Sequence, residues 1–196
     1  MTCPYEIAAI ILAGGEGKRV GGANKGLLKI KGKTFVEHIL SKFEGNLKQI
    51  IISANRDIET FQKLGFSVFP DQAEWKGSGP LAGLLSCWEH VSPSVDALLV
   101  VPCDTPFLPD DLIKRLYLKL FENPANQIVY ARTSECVHPS IFLSKPEINE
   151  NLQDHLTQGN RSLKSWIFRH QAEEVFFDDN QSFANINDMK TLTRYG

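Results

Sequence analysis

Continuous apolar runs alternate with amphipathic stretches along the first half of the chain. The runs Ile7–Leu12, Gln49–Ser53 and 97–101 are rich in aliphatic residues, which is typical of strands buried on both faces of a parallel sheet. Between the first two runs, the segment 34–43 spaces its aromatic and aliphatic residues three and four positions apart. That spacing predicts a helix with one apolar face.

The same alternation continues to the end of the chain and predicts an α/β fold. Further strands are predicted at Ser67–Phe69, 127–132, 140–143 and 174–177. Further helices are predicted at 58–64, 84–90, 109–121 (with Asp110 and Asp111 in its first turn), 147–156, 162–170 and 188–193. This order favours a three-layer αβα, Rossmann-like fold with a largely parallel mixed sheet. Ligands of such folds bind beyond the carboxyl ends of the strands.

Composition narrows the classes of function. The length of 196 residues suits one domain, and the net charge of -2 argues against a broad nucleic-acid-binding face. The four cysteines are widely spaced and form no C-x-x-C pair, so we expect reduced thiols. No apolar run is long enough to span a membrane. We therefore expect a cytoplasmic protein that binds neither nucleic acid nor membrane.

The segment 12–25, here called the glycine loop, follows the first predicted strand and holds five glycines with three cations, Lys18, Arg19 and Lys25. Glycines let backbone N–H groups approach a ligand closely, and the cations add positive charge. The loop therefore predicts a polyphosphate site. The loop does not match the dinucleotide-binding fingerprint, because Val20 stands where the third glycine belongs. The later fragment Gly32-Lys-Thr does not match a P-loop either, because it lacks the required upstream glycine.

Three further features follow predicted strand ends. Asp104, fixed between prolines after the run 97–101, suits a Mg²⁺ ligand, although it could instead cap the following helix. The glycine-rich segment 77–83 is predicted as a loop that contacts a base or ribose. Asp71 is either a ligand or a turn residue. Trp75, in the loop before Gly77, is expected to be the most exposed tryptophan.

Together these motifs resemble the molybdenum cofactor guanylyltransferases. The matching features are Leu12-Ala-Gly-Gly, Arg19, Gly21-Gly22, Lys25-Gly-Leu-Leu, Gly79-Pro-Leu-Ala-Gly83 and Asp104-Thr-Pro. The resemblance implies a nucleotidyltransferase of the nucleotide-diphospho-sugar-transferase-like fold. GTP and molybdopterin-bound molybdenum would give the guanine dinucleotide cofactor and pyrophosphate, with Mg²⁺ as cofactor. It also implies transient contact with molybdoenzymes or their chaperones.

The resemblance assigns roles by position. Arg19, Lys25 and Asp104 would be catalytic, and Asp104 would bind the metal. The nucleotide would be bound by Leu12, Ala13, Gly14, Gly15, Lys25, Ser53, Asp71, Gly79, Pro80, Leu81 and Asp104. The acceptor would be bound by His138, Arg161, Asn185 and Asn187. We expect a nucleotide-binding half, 1–109, and an acceptor-binding half, 110–196, within one domain, 1–196.

The chain also departs from the family pattern. Asn24 stands where members commonly have Asp, and Ser53 stands where they often have Asn. Three alternatives therefore stay open. They are cytidylyl transfer to the pterin, nucleotide transfer to a sugar or alcohol phosphate, and a catalytically inactive protein that binds nucleotide or cofactor.

Overall fold

A computed structural model describes residues 6–15 and 23–186 of the chain. Strands and helices alternate along these residues. The strands are β1 Ile7–Leu12, β2 Lys29–Ile30, β3 Lys33–Thr34, β4 Gln49–Ser53, β5 Ser67–Phe69, β6 Ala97–Pro102, β7 Ile128–Arg132, β8 Val137–Ser144 and β9 Ala172–Phe176. The α-helices are α1 Phe35–Phe43, α2 Ile58–Gln62, α3 Pro80–Trp88, α4 Leu112–Glu122, α5 Leu152–Thr157 and α6 Leu163–Ile167.

Seven strands form one sheet in the order β5-β4-β1-β6-β8-β7-β9. The first four are parallel neighbours, and β7 is parallel to β9. Only β8, within this described sheet, runs antiparallel to both of its neighbours. The prediction of a largely parallel mixed sheet is confirmed. Because the other six strands share one direction, their carboxyl ends lie along the same edge, called here the carboxyl edge.

Helices cover both faces of the sheet. On β1, Ile7, Ala9 and Ile11 pack in one apolar cluster with α1, α2 and α4. Ala8 and Ile10 point the other way, into a cluster with α3, α5 and α6. Burial on both faces explains why β1 reads as a continuous apolar run rather than an alternating one. The three-layer αβα prediction is confirmed.

Two helices begin elsewhere than the sequence predicts. Helix α3 begins at Pro80 rather than after Gly83, because proline suits the first turn of a helix and Gly79 supplies the positive φ before it. Four of the seven residues in the segment predicted as a glycine-rich loop, 80–83, are therefore helical. Helix α4 begins at Leu112 rather than Pro109, with Asp111 as its N-cap residue, so Asp110 lies before the helix.

Smaller corrections follow from tertiary contacts. Trp75 is only 7 % exposed, because it packs with α3 in the apolar cluster, and the prediction of exposure was wrong. Strand β9 begins at Ala172, where it pairs with Ile128 of β7. Helix α6 ends at Ile167, earlier than predicted. The helix predicted at 188–193 lies outside the described residues. No helix in the described ranges is long and apolar enough to cross a membrane.

Gly83 allows α3 to pack closely against the end of β4. A Cβ atom at position 83 would collide with the Oγ of Ser53, whereas the Cβ of Ser53 would be 3.4 Å away, at ordinary contact distance. Gly83 and Ser53 are both buried. The absence of a side chain at Gly83 and the presence of the hydroxyl at Ser53 are therefore complementary.

We predict that Gly83→Ala lowers the free energy of unfolding by about 1–3 kcal/mol in the natural chain, because the added methyl group overpacks this contact. The loss should be smaller in a Ser53→Ala background, where the colliding oxygen is absent. Urea unfolding of the four proteins measures both losses. Equal losses in the two backgrounds would contradict this explanation.

Candidate active site

The carboxyl edge brings together four segments that are distant in sequence. Leu12, the last residue of β1, pairs with Ser53 of β4 and Pro102 of β6. Ser53 in turn pairs with Phe69, the last residue of β5. The four strands therefore end at the same level. The glycine loop, Asp71 and Asp104 all follow these ends, as the sequence predicts.

Lys25 and Asp104 form an ion pair at this edge. The Lys25 Nζ lies 3.3 Å from the Asp104 Oδ2, and the two side chains are 22 % and 19 % exposed. Both predicted catalytic groups are therefore adjacent and still accessible to a ligand. Arg19, the third predicted catalytic residue, lies outside the described residues.

A short 3-10 helix, Lys25–Leu27, fixes the position of the lysine. Asn24 caps it, since its side-chain oxygen accepts a hydrogen bond of 3.2 Å from the N–H of Gly26. A Cβ atom at Gly26 would lie 3.0 Å from Cγ2 of Val36 and 3.1 Å from the ring of Phe61. The backbone after Lys25 therefore lies directly against the core, which explains the glycine of the Lys-Gly pair.

The segment after Asp104 connects to the end of the described chain. The hydroxyl of Thr105, which is fully buried, donates to the Oδ1 of Asn185 at 2.7 Å. The N–H of Ile186 donates to the carbonyl oxygen of Asp104 at 2.8 Å. Asn185, predicted to bind the acceptor, is thus brought beside Asp104. Asn187 lies outside the described residues.

Asn55 joins two parts of the site, and the sequence prediction missed it. Its Oδ1 accepts from the backbone N–H of Asp71 at 2.8 Å, and its Nδ2 donates to the Asp71 Oδ2 at 2.9 Å. The same Nδ2 lies 3.5 Å from the carbonyl oxygen of Gly14. The signal for Asn55 was its place two residues after the end of β4.

Burial raises the pKa of Asp71, and hydrogen bonds from Asn55 and from the backbone N–H of Gly77 oppose this. Burial also raises the pKa of the Cys87 thiol to about 12, and that of the Cys103 thiol to about 12. Both thiols are therefore protonated near neutral pH, and neither is a nucleophile.

Two of the predicted nucleotide-binding residues turn their side chains into the core. Leu81 is fully buried, and Ser53 is 1 % exposed. Both residues therefore lie beneath the surface of the site. Gly79 and Pro80 are exposed at the start of α3, with φ of +80° at Gly79.

Arg161 lies beside this helix start. Its carbonyl oxygen would be 3.4 Å from a Cβ atom at Gly79. One nitrogen of its guanidinium donates to the carbonyl oxygens of Leu156 at 2.7 Å and Asn160 at 3.1 Å. The guanidinium carries five N–H donors, so further donors remain for a ligand.

His138 lies at the same edge, where β8 begins. Its Nε2 is 3.2 Å from the Thr133 hydroxyl oxygen and 3.6 Å from the Cys136 sulfur, and its ring centroid is 5.0 Å from that of Phe183. Burial lowers the pKa of His138, so the ring is neutral near pH 7. The strand order places this side chain beyond β6, on the side of Asp104 away from Asp71.

The described part of the chain offers few side chains that could bind a metal ion. Within residues 6–15 and 23–186, no group of three or more His, Cys, Asp or Glu side chains is arranged to hold a metal ion. Asp104 offers a single accessible carboxylate. An ion bound there would need ligand or water oxygens to complete its shell, which is the usual arrangement for Mg²⁺ on phosphate substrates.

Solved structures with the same fold include nucleotidyltransferase-type proteins. The chain is similar to molybdopterin-guanine dinucleotide biosynthesis protein A from Archaeoglobus fulgidus, with a TM-score of 0.75, 24 % identity, and 96 % of each chain covered. It is also similar to Rv0371C from Mycobacterium tuberculosis, solved in complex with manganese, with a TM-score of 0.69, 16 % identity and 97 % of each chain covered. At these identities the likeness shows the fold, and the predicted fold type is confirmed.

Sequence comparison narrows the family. The MobA-like NTP transferase domain matches residues 9–175. The molybdenum cofactor guanylyltransferase of Shewanella sp. (strain MR-4) is 38 % identical over 184 residues, which cover 93 % of this chain and 91 % of that protein. The chain therefore belongs to the molybdenum cofactor guanylyltransferase family, whose members are nucleotidyltransferases.

Proposed function

We propose that this protein transfers GMP from GTP to the phosphate of the molybdenum cofactor, giving the guanine dinucleotide cofactor and pyrophosphate. The observation that carries this proposal is the accessible pair of Lys25 and Asp104, 3.3 Å apart at the carboxyl edge of the sheet. The pair supplies a cation for phosphate oxygens and a carboxylate for a metal ion.

The nucleotide would lie along the edge from β5 to β6. Its triphosphate would contact the backbone of Ala13, Gly14 and Gly15, with Lys25 and Arg19 as cations. Its nucleoside would lie toward Asp71 and the start of α3, where Gly79 and Pro80 are exposed and Leu81 lies buried beneath them. Ser53 would support the nucleotide site from inside the protein, since its hydroxyl is buried against Gly83 of α3.

The chemical step needs positioning and charge neutralisation. A phosphate oxygen of the pterin attacks the α-phosphorus of GTP, a new P–O bond forms, and the bond to the bridging oxygen of pyrophosphate breaks. The attacking phosphate is already ionised near neutral pH, so no general base is required. A mechanism without a general base agrees with the state of Cys87 and Cys103, whose protonated thiols supply neither a base nor a nucleophile. Lys25 would stabilise the charge that develops on the leaving pyrophosphate.

A divalent cation fits the Asp104 carboxylate, and we propose Mg²⁺. When bound, such an ion neutralises phosphate charge and polarises the bond that breaks. Support comes from the partly exposed carboxylate itself and from the fold neighbour that was solved with manganese. The ion pair with Lys25 would keep the Asp104 carboxylate oriented toward the space proposed for the triphosphate.

The acceptor would be bound by the second half of the chain, 110–196. Asn185 is hydrogen-bonded to Thr105 beside Asp104, and His138 lies at the same edge. Arg161 and Asn187 complete the proposed acceptor set. We also propose that the enzyme works in the cytoplasm, in keeping with the unpaired thiols of Cys87, Cys103 and Cys136, and passes its product to molybdoenzymes or their chaperones.

We predict that Lys25→Ala lowers turnover by about one to two decades or more, because a hydrogen bond to a charged group contributes roughly 1.5–3 kcal/mol. Pyrophosphate release with GTP and molybdenum cofactor measures turnover. Lys29→Ala is the matched control, because Lys29 is exposed on β2, just after the 3-10 helix that holds Lys25. Near-normal turnover of a folded Lys25→Ala protein would contradict the role of the lysine.

We predict selective binding of GTP over CTP, ATP and UTP in calorimetric titrations with Mg²⁺. Asp104→Ala should weaken this binding, because it removes the metal carboxylate. Asp110→Ala should not, since Asp110 is exposed and pairs with Lys42. Selective binding of CTP, or equal binding of all four nucleotides, would contradict guanylyl transfer.

Product analysis separates an enzyme from an inactive binding protein. Incubation with GTP and the molybdenum cofactor should release pyrophosphate and give one GMP-bearing pterin for each pyrophosphate. A protein that only binds its ligands would bind GTP and release no pyrophosphate.

A further inference from the structure

The side-chain amide of Asn55 forms two hydrogen bonds with a single residue, Asp71. Its oxygen accepts from the Asp71 backbone N–H, and its nitrogen donates to the Asp71 carboxylate, at 2.8 and 2.9 Å. Two hydrogen bonds from one planar amide fix both the backbone and the carboxylate of Asp71. Among the described residues, no other side chain donates a hydrogen bond to that carboxylate.

The same connection reaches the glycine loop. A Cβ atom at Gly14 would lie 3.0 Å from the Nδ2 of Asn55, so the two segments approach as closely as glycine permits. The next residue, Arg56, donates from its guanidinium to the carbonyl oxygen of Gly15 at 3.2 Å. Asn55 and Arg56 therefore hold the start of the glycine loop from the side of β4.

A second contact holds the Asp71 segment from the opposite side. The N–H of Gln72 donates to the Ser86 Oγ at 2.8 Å, and that hydroxyl donates to the carbonyl oxygen of Ala82 in α3 at 2.8 Å. The backbone after Asp71 is thus held by α3, whereas the carboxylate of Asp71 is oriented by Asn55. Ser53 at the end of β4 is buried, whereas Asp71 is only partly buried, so its carboxylate stays accessible to a ligand.

We propose that Asn55 is a positioning residue for GTP: it orients the Asp71 carboxylate toward the nucleoside and couples that carboxylate to the glycine loop at Gly14. This inference rests on the proposed function, in which Asp71 contacts the guanosine. Asn55 itself need not contact the nucleotide.

The contact has a consequence for the titration of Asp71. Burial raises the pKa of Asp71, and the hydrogen bond from Asn55 is the largest opposing influence, followed by the N–H of Gly77 and the charge of Lys76. From α3, Cys87 faces the same carboxylate as a protonated thiol, and Ser53 faces it from β4. Loss of the Asn55 donor therefore raises the Asp71 pKa further, and the ionised carboxylate persists only at higher pH.

The sharpest variant is Asn55→Asp. It has nearly the same shape and can still accept from the Asp71 N–H, but it replaces the donor with a second carboxylate. We expect KM for GTP to rise by about tenfold or more with kcat changed by less than about threefold, because an interaction that orients bound nucleotide is lost. The acid limb of kcat/KM against pH should move to higher pH.

Two controls separate positioning from folding. Asn46→Ala removes an exposed asparagine that bonds to the Lys42 carbonyl before β4, away from the carboxyl edge, and should leave KM and the pH profile unchanged. In an Asp71→Asn background, Asn55→Asp should raise KM for GTP much less than in the natural chain. Circular dichroism and thermal unfolding confirm that each variant is folded.

The outcomes distinguish the two proposals. If the natural protein turns over GTP and folded Asn55→Asp keeps its KM and pH profile, the positioning role of Asn55 is overturned and the proposed function stands. A full additive loss in the Asp71→Asn background also overturns the positioning role. If the natural protein makes no guanylylated pterin, the proposed function fails, and this inference fails with it.

Discussion

The site depends on one constraint, the register in which β1 pairs with β4 and β6, which makes the three strands end at the same level. Because Leu12 pairs with both Ser53 and Pro102, three chain segments leave the sheet at the same height. A slip of the β1 register would reverse the faces to which its buried side chains point, so the two apolar clusters fix this alignment strongly. The core therefore positions the polar site residues without direct contact with any ligand.

Local packing then refines the charged centre. Gly26 lies against Val36 and Phe61, and this contact sets where the preceding Lys25 stands relative to Asp104. Asn24 offers the Gly26 N–H the same capping oxygen that an aspartate would offer. Unlike an aspartate, it places no negative charge beside Lys25. The choice of Asn or Asp here should therefore affect the electrostatics of the site and not the turn.

The sequence predicted those features that follow from local pattern. Buried strands such as Ile7–Leu12 and Gln49–Ser53 agree residue for residue, because runs of aliphatic residues bounded by turns are distinctive. The predicted start of α3 was wrong because Gly83 suggested a loop. In the structure Gly83 is helical, and its lack of a side chain allows close packing on Ser53. The contact between Asn55 and Asp71 depends on the pairing of β4 with β5, which no local pattern contains. The roles of the site residues stay predictions, and Arg19 and Asn187 lie outside the described residues.

A crystal structure with Mg²⁺ and a GTP analogue that cannot be cleaved between its α- and β-phosphates tests this account most directly. We predict that the triphosphate lies against Ala13–Gly15 within hydrogen-bond distance of Lys25, with the metal ion on Asp104 and the nucleoside toward Asp71. A nucleotide bound away from the carboxyl edge, or a triphosphate beyond the reach of both Lys25 and Asp104, would contradict it.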